Sequence, residues 1–135
     1  MAYPHPRVLS IGSYPVVFET RNRILELAGF EVVPSFRGSD AIAKFASRSF
    51  DCVLVGDSSG SLRLDMIRDL RRVNPHVPII VVYPLAERSI DTELADAAVD
   101  SLQGPEALLR VLTSVIRKMP RFAVMPKARA ASARG

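Results

Sequence analysis

Three apolar runs in this chain lead into segments where an open parallel sheet would keep its chemistry, at the carboxyl ends of strands. Asp51-Cys52-Val53-Leu54-Val55-Gly56 reads as a buried strand feeding the polar, turn-rich loop Asp57-Ser58-Ser59-Gly60-Ser61. The run ending at Ile11 feeds Gly12-Ser13, and the run ending at Val82 feeds Tyr83-Pro84. The reactive groups offered there are few. Glycines at these strand ends can leave a cavity, and Gly12-Ser13 precedes a helix start, where free N–H groups attract anions. Capping of that helix by Ser13 accounts for the serine without any ligand. There is no Gly-x-Gly-x-x-Gly run or phosphate loop, so a nucleotide site is not expected. His5 and His76 stand beside prolines and lack a cysteine or histidine at ligand spacing, so no metal site or cofactor is predicted. Cys52, inside an apolar strand, reads as a packed thiol of a reducing compartment.

The elements that would position these residues alternate along the chain. Strands are predicted over 7–11, 30–33, 51–56, 77–82 and 99–103. Ser13 and Pro15 suit the start of a first helix whose Val17, Ile24, Leu25 and Ala28 recur at helical spacing, with Gly29 as its left-handed cap. Ser39 caps a second helix with Ile42, Phe45 and Ala46 on one face. Leu64, Ile67, Leu70 and Val73 mark a third, ending before Asn74-Pro75. A weak fourth helix is predicted from about 87 to 98. The last runs from Pro105 to about Lys118, with Leu108, Leu109, Leu112, Val115 and Ile116 inside. Strict alternation of five strands and five helices implies one parallel sheet covered on both faces.

Charge narrows the partners. Residues 121–135 carry four basic groups and no acidic one, whereas residues 1–120 carry 14 of each sign, so the tail supplies the whole net charge of +4. A tail with four charges, a single aromatic (Phe122) and no apolar spacing of a packed helix is a weak nucleic-acid signal, and nucleic acid is not an expected partner. The longest apolar stretch, 77–86, is broken by two prolines and is too short to span a bilayer, and the first residues carry no secretion signal. These features predict a cytoplasmic protein that does not engage membranes.

Over residues 7–118 the chain resembles the receiver domains of bacterial two-component response regulators. The resemblance rests on Gly29-Phe30-Glu31-Val32-Val33, Gly38-Ser39-Asp40-Ala41, Asp51 to Val55, Pro78 to Val82 and Asp100-Ser101-Leu102-Gln103-Gly104-Pro105. It implies a flavodoxin-like (βα)5 fold with sheet order 2-1-3-4-5; residues 119–135, beyond it, read by composition as a basic, disordered tail. Receivers phosphorylate an aspartate at the end of the third strand with a divalent cation beside it. By this resemblance the phosphoacceptor position falls on Gly56 and the acidic pair on Gly12 and Ser13. Tyr83 takes the place of a small hydroxyl residue, Gly104 that of a lysine, and Ser101 that of a reporting aromatic. Only Pro105 matches, and the bond before it is expected to be cis, as receivers usually hold it.

The expected function is therefore that of a degenerate receiver in phosphorelay signalling: no enzyme, no cofactor, and output through protein contacts. The resemblance places that output on the fourth helix, fifth strand and last helix, with Tyr83, Arg88, Ser101 and Arg110 on or near the surface. A histidine kinase or another signalling protein is the expected kind of partner, and the same face is a route to a homodimer. The alternative is a weakly active phosphoacceptor using Asp57. Strand alternation turns a residue one place past Gly56 to the other face unless a bulge restores it, and an Asx turn with Ser58, Ser59 or Gly60 accounts for Asp57 otherwise.

Overall fold

The computed structural model describes residues 5–12, 15–36, 38–56, 60–83, 95–100 and 103–117. Their elements are β1 (Arg7–Ile11), α1 (Pro15–Leu27), β2 (Glu31–Ser35), α2 (Gly38–Ser47), β3 (Cys52–Gly56), α3 (Gly60–Val73), β4 (Ile79–Tyr83), β5 (Ala97–Asp100) and α4 (Pro105–Arg117). The strands form one sheet in the order β2-β1-β3-β4-β5, with every neighbouring pair parallel. This is the expected topology.

Alternate residues of the central strands feed two cores. Leu9, Ile11, Val53, Val55, Ile79 and Val81 pack with Ala41 and Phe45 of α2 and Ile67 and Leu70 of α3. Val8, Cys52, Leu54, Ile80, Val82 and Val99 pack with Leu25 of α1 and Leu108, Leu112 and Ile116 of α4. Burial on both faces explains why β3 and β4 read as unbroken apolar runs. β2 lies at the sheet edge, where Pro34 costs no ladder bond to a further strand.

Local signals place several boundaries. Gly29 adopts φ 102°, and hydrogen bonds from Gly29 N to Glu26 O and from Phe30 N to Leu25 O close α1. α3 stops at Val73, before Asn74-Pro75. Other expectations need correction. In α1 the buried face is Phe18, Arg21, Asn22 and Leu25, while Ile24 is half-buried and Ala28 exposed. A polar pair inside that face hides it from apolar periodicity. Ala41, not Ala46, completes the inner face of α2, and Val73 is exposed. Ser39 lies within α2, which begins at Gly38. Of the helix predicted from about 87 to 98, residues 87–94 lie outside the described residues, and residues 97–100 form β5 instead: Asp96 N donates to Ile79 O and its carboxylate accepts from Ile79 N, drawing the segment alongside β4. The bond before Pro105 is trans, as no cis peptide occurs among the described residues. The turn is made instead by Gly104, at φ 85°, which delivers Pro105 to the first position of α4.

Candidate functional site at the carboxyl edge of the sheet

The register that pairs Ile11 with Val55 sets Gly12 and Gly56 side by side where β1 and β3 end. Four described glycines then fall into two kinds. Gly29 and Gly104 have left-handed φ values of 102° and 85°, and a β-carbon on either would meet nothing within 4 Å. Backbone conformation demands glycine there. Gly12 and Gly56 lie outside the left-handed region, but a β-carbon on Gly12 would stand 2.4 Å from Phe18 Cδ1, and one on Gly56 2.7 Å from Arg21 Nη1. At Gly12 it is crowding by a ring that demands it, whereas at Gly56 the near neighbour is the flexible end of an arginine.

Both crowding side chains come from α1, three residues apart and so on one helix face. Phe18 is 1% exposed and its ring lies 4.8 Å from that of Phe36, itself 52% exposed just past β2. Arg21 is 9% exposed, with its guanidinium carbon 5.3 Å from the Phe18 ring centroid. Its Nη2 donates to Ser10 Oγ and to the Ile11 carbonyl, both at 3.1 Å, and Ser10 Oγ donates to Asn22 Oδ1 at 2.6 Å. A hydrogen-bonded set of Ser10, Asn22 and Arg21 thus underlies the edge. A second buried guanidinium, Arg63, lies in the first turns of α3 at 1% exposure.

Among the described residues, carboxylates are sparse here. Asp40 accepts from Ser35 Oγ at 2.7 Å and pairs with Lys44 Nζ at 3.1 Å, while Asp100 ends β5. Among the described residues no three His, Cys, Asp or Glu side chains come together as a metal site. Cys52 is fully buried, and burial, followed by the Asp96 and Asp51 charges, pushes its thiol far above the ordinary range. Its thiolate is inaccessible to chemistry in the folded chain.

The other sequence-predicted residues are distributed as follows. The backbone of Tyr83 ends β4, opposite Asp100. Gly104 precedes α4, and Arg110 lies on the exposed face of α4, lining an open groove of about 740 Å³ with Glu106, Leu109, Thr113, Ser114 and Arg117. Ser13, Asp57, Arg88 and Ser101, like the basic tail, lie outside the described residues. Sequence reasoning missed Phe18 and Arg21. The available signal was their spacing with Asn22 and Leu25, obscured because arginine and asparagine do not register as buried positions. No helix among the described residues is long and apolar enough to cross a membrane.

No protein-family model matches the sequence, and no curated protein matches it. Solved structures do match in shape. The chemotaxis response regulator CheY4 of Vibrio cholerae is 20% identical with a TM-score of 0.74, covering 83% of this chain and 99% of its own. A CheY-like receiver domain protein from Methanospirillum hungatei JF-1 is 19% identical with a TM-score of 0.74, covering 85% and 96%. The response regulator TrrA of Thermotoga maritima, solved with Mg(2+)-BeF, is 21% identical with a TM-score of 0.72, covering 82% and 98%. Strand order, layer arrangement and near-complete coverage of these domains lead to one conclusion: this chain has the fold of the CheY-like response regulator receiver domains.

Proposed function

We propose that the chain is a degenerate receiver domain that acts in signal transduction as a phosphorylation-independent protein-interaction module. The observation that carries this reading is the filling of the carboxyl edge: Phe18 and Arg21 take the space that side chains at Gly12 and Gly56 would need. A receiver's cation requires carboxylates at the ends of its first and third strands. Here a carboxylate at Gly12 would meet an aromatic ring, and one at Gly56 would meet the Arg21 guanidinium, which would pair with it in place of a metal. The protein in this reading does no catalysis and takes no cofactor.

Output then passes through surfaces. The exposed face of α4 with Arg110 supports a protein contact, and TrrA, which shares this fold, has been solved in complex with the histidine kinase ThkA. A kinase or another signalling protein is the kind of partner this reading favours, with a second copy of the chain as a further possibility for the same face. Ligands shift an equilibrium only by their differential affinity for its states, so a domain that takes no phosphoryl group offers its partner one constant surface.

The test is treatment with acetyl phosphate and magnesium, followed by intact mass and amide NMR spectra. Unchanged mass and unchanged signals over residues 103–117 are expected. Melting curves with and without millimolar magnesium should overlay, since a metal present at its dissociation constant would already add about 0.4 kcal/mol. A phosphoryl adduct abolished by Asp57→Asn would replace this reading with that of a weak phosphoacceptor. Charge reversal at Arg110 should weaken a partner captured by the full chain. Loss of capture only on removing residues 121–135 would move the interaction to the tail.

A further inference from the structure

Ser10, Ile11 and Gly56 belong to two strands, yet one side chain of α1 reaches all three. Arg21 Nη2 holds the Ser10 hydroxyl and the Ile11 carbonyl, and its Nη1 stands where a β-carbon of residue 56 would be. Nothing in the backbone of Gly56 calls for glycine, because its φ lies outside the left-handed region. We infer that Arg21 is a built-in latch that fixes α1 to the carboxyl ends of β1 and β3, and that residue 56 is glycine to admit its guanidinium.

The chemistry suits this role. A guanidinium is planar and presents several donors in a fixed fork, so one group can satisfy two acceptors while a third direction remains for contact. The Phe18 ring, whose centroid is 5.3 Å from the guanidinium carbon, covers the neighbouring position at Gly12. An arginine side chain is flexible at its far end, and a methyl group at 56 would displace the guanidinium rather than prevent folding. Its cost is the disturbance of the two hydrogen bonds that Nη2 makes. The inference deepens the phosphorylation-independent reading and rests on it for its meaning: a latch of this kind holds in one arrangement the edge that a phosphoryl group would otherwise remodel.

A thermodynamic cycle tests it, using Gly56→Ala, Arg21→Ala and the double variant of the full chain. Gly56→Ala is expected to lower the melting temperature by about 2–5 °C with Arg21 in place. In the Arg21→Ala background the same substitution should cost nothing or raise the melting temperature, because the methyl group enters vacated space. Equal losses in both backgrounds would overturn the latch and assign the need for glycine to Val82, whose carbonyl oxygen and Cβ lie 3.4 and 3.5 Å from the same β-carbon. Should Arg21→Ala fail to fold, amide NMR of Gly56→Ala alone decides. Displaced signals at Ser10, Ile11 and Asn22 support the latch, and changes confined to residues 55–56 and 81–83 overturn it. Arg21→Lys, which keeps the charge and loses the fork, should displace the Ser10 and Ile11 signals, and a spectrum like that of the unsubstituted protein would count against the latch. Intact mass after acetyl phosphate is read on the unsubstituted protein in parallel. A phosphoryl adduct there defeats the interaction-module reading, whereas an additive cycle defeats only the latch.

Discussion

The two ends of the sheet handle charge in opposite ways. At the amino end, an aspartate just before a strand caps the strand beside it, and the arrangement occurs twice. Asp51 N donates to Arg7 O while Asp51 Oδ2 accepts from Arg7 N at 2.7 Å. Asp96 N donates to Ile79 O while Asp96 Oδ2 accepts from Ile79 N at 2.7 Å. An arginine adds to the second, Arg71 pairing with Asp96 at 2.8 Å, while the Arg7 side chain pairs with Glu31 of β2 at 3.0 Å. At the carboxyl end the central strands finish on glycines, and the buried charge facing them is the cation of Arg21. In these central positions, aspartate serves as structural glue at one end and gives way to glycine at the other, where Phe18 and Arg21 fill the space. The fold's hydrogen-bond framework and its site are therefore separable, and a chain can keep the first while refilling the second.

The largest expected effect lies at the carboxyl end. Gly12→Asp drives a carboxylate into the Phe18 ring, which cannot yield as a flexible side-chain end would, and should destabilise by about 3 kcal/mol or more in a denaturant titration. A neutral result there would mean that the edge is open and would remove the contrast. At the amino end, Asp51→Ala leaves the amide of Arg7 without its carboxylate and should cost about 2 kcal/mol by the same measurement. Asp96→Ala, at a more exposed site, should cost about 1–2 kcal/mol and speed hydrogen exchange at the Ile79 amide. The smallest change belongs to Glu31→Gln: its pair with Arg7 is solvent-exposed, so a loss below about 0.5 kcal/mol is expected, erased in high salt. If Glu31→Gln cost as much as Asp51→Ala, ion pairing rather than backbone capping would be the organising interaction of that end.

The fold was legible because its signals are local. Gly29, the Asn74-Pro75 break and Pro105 each act within a few residues, and two-sided burial writes β3 and β4 as apolar runs. β5 was misplaced because Ala95-Asp96-Ala97-Ala98 favours a helix by composition, and only the pairing of Asp96 with Ile79, 17 residues away in sequence, makes it a strand. At the site, the sequence shows that glycines stand at positions 12 and 56 but not what occupies the space beside them. Phe18 and Arg21 acquire that role only when α1 folds back over the ends of β1 and β3. A buried arginine beside a buried asparagine on a helix face is invisible to a periodicity count, since its burial depends on acceptors supplied by another element.

The packing of Cys52 has a practical consequence. The chain's one thiol sits in the central strand at 0% exposure, with burial opposing its ionisation. Labelling reagents can reach it only when the helices covering that face of the sheet, α1 and α4, come away. Its modification rate is thus a clock for opening of that core, readable by mass without introducing any probe, and slowed by any partner that binds only the folded chain.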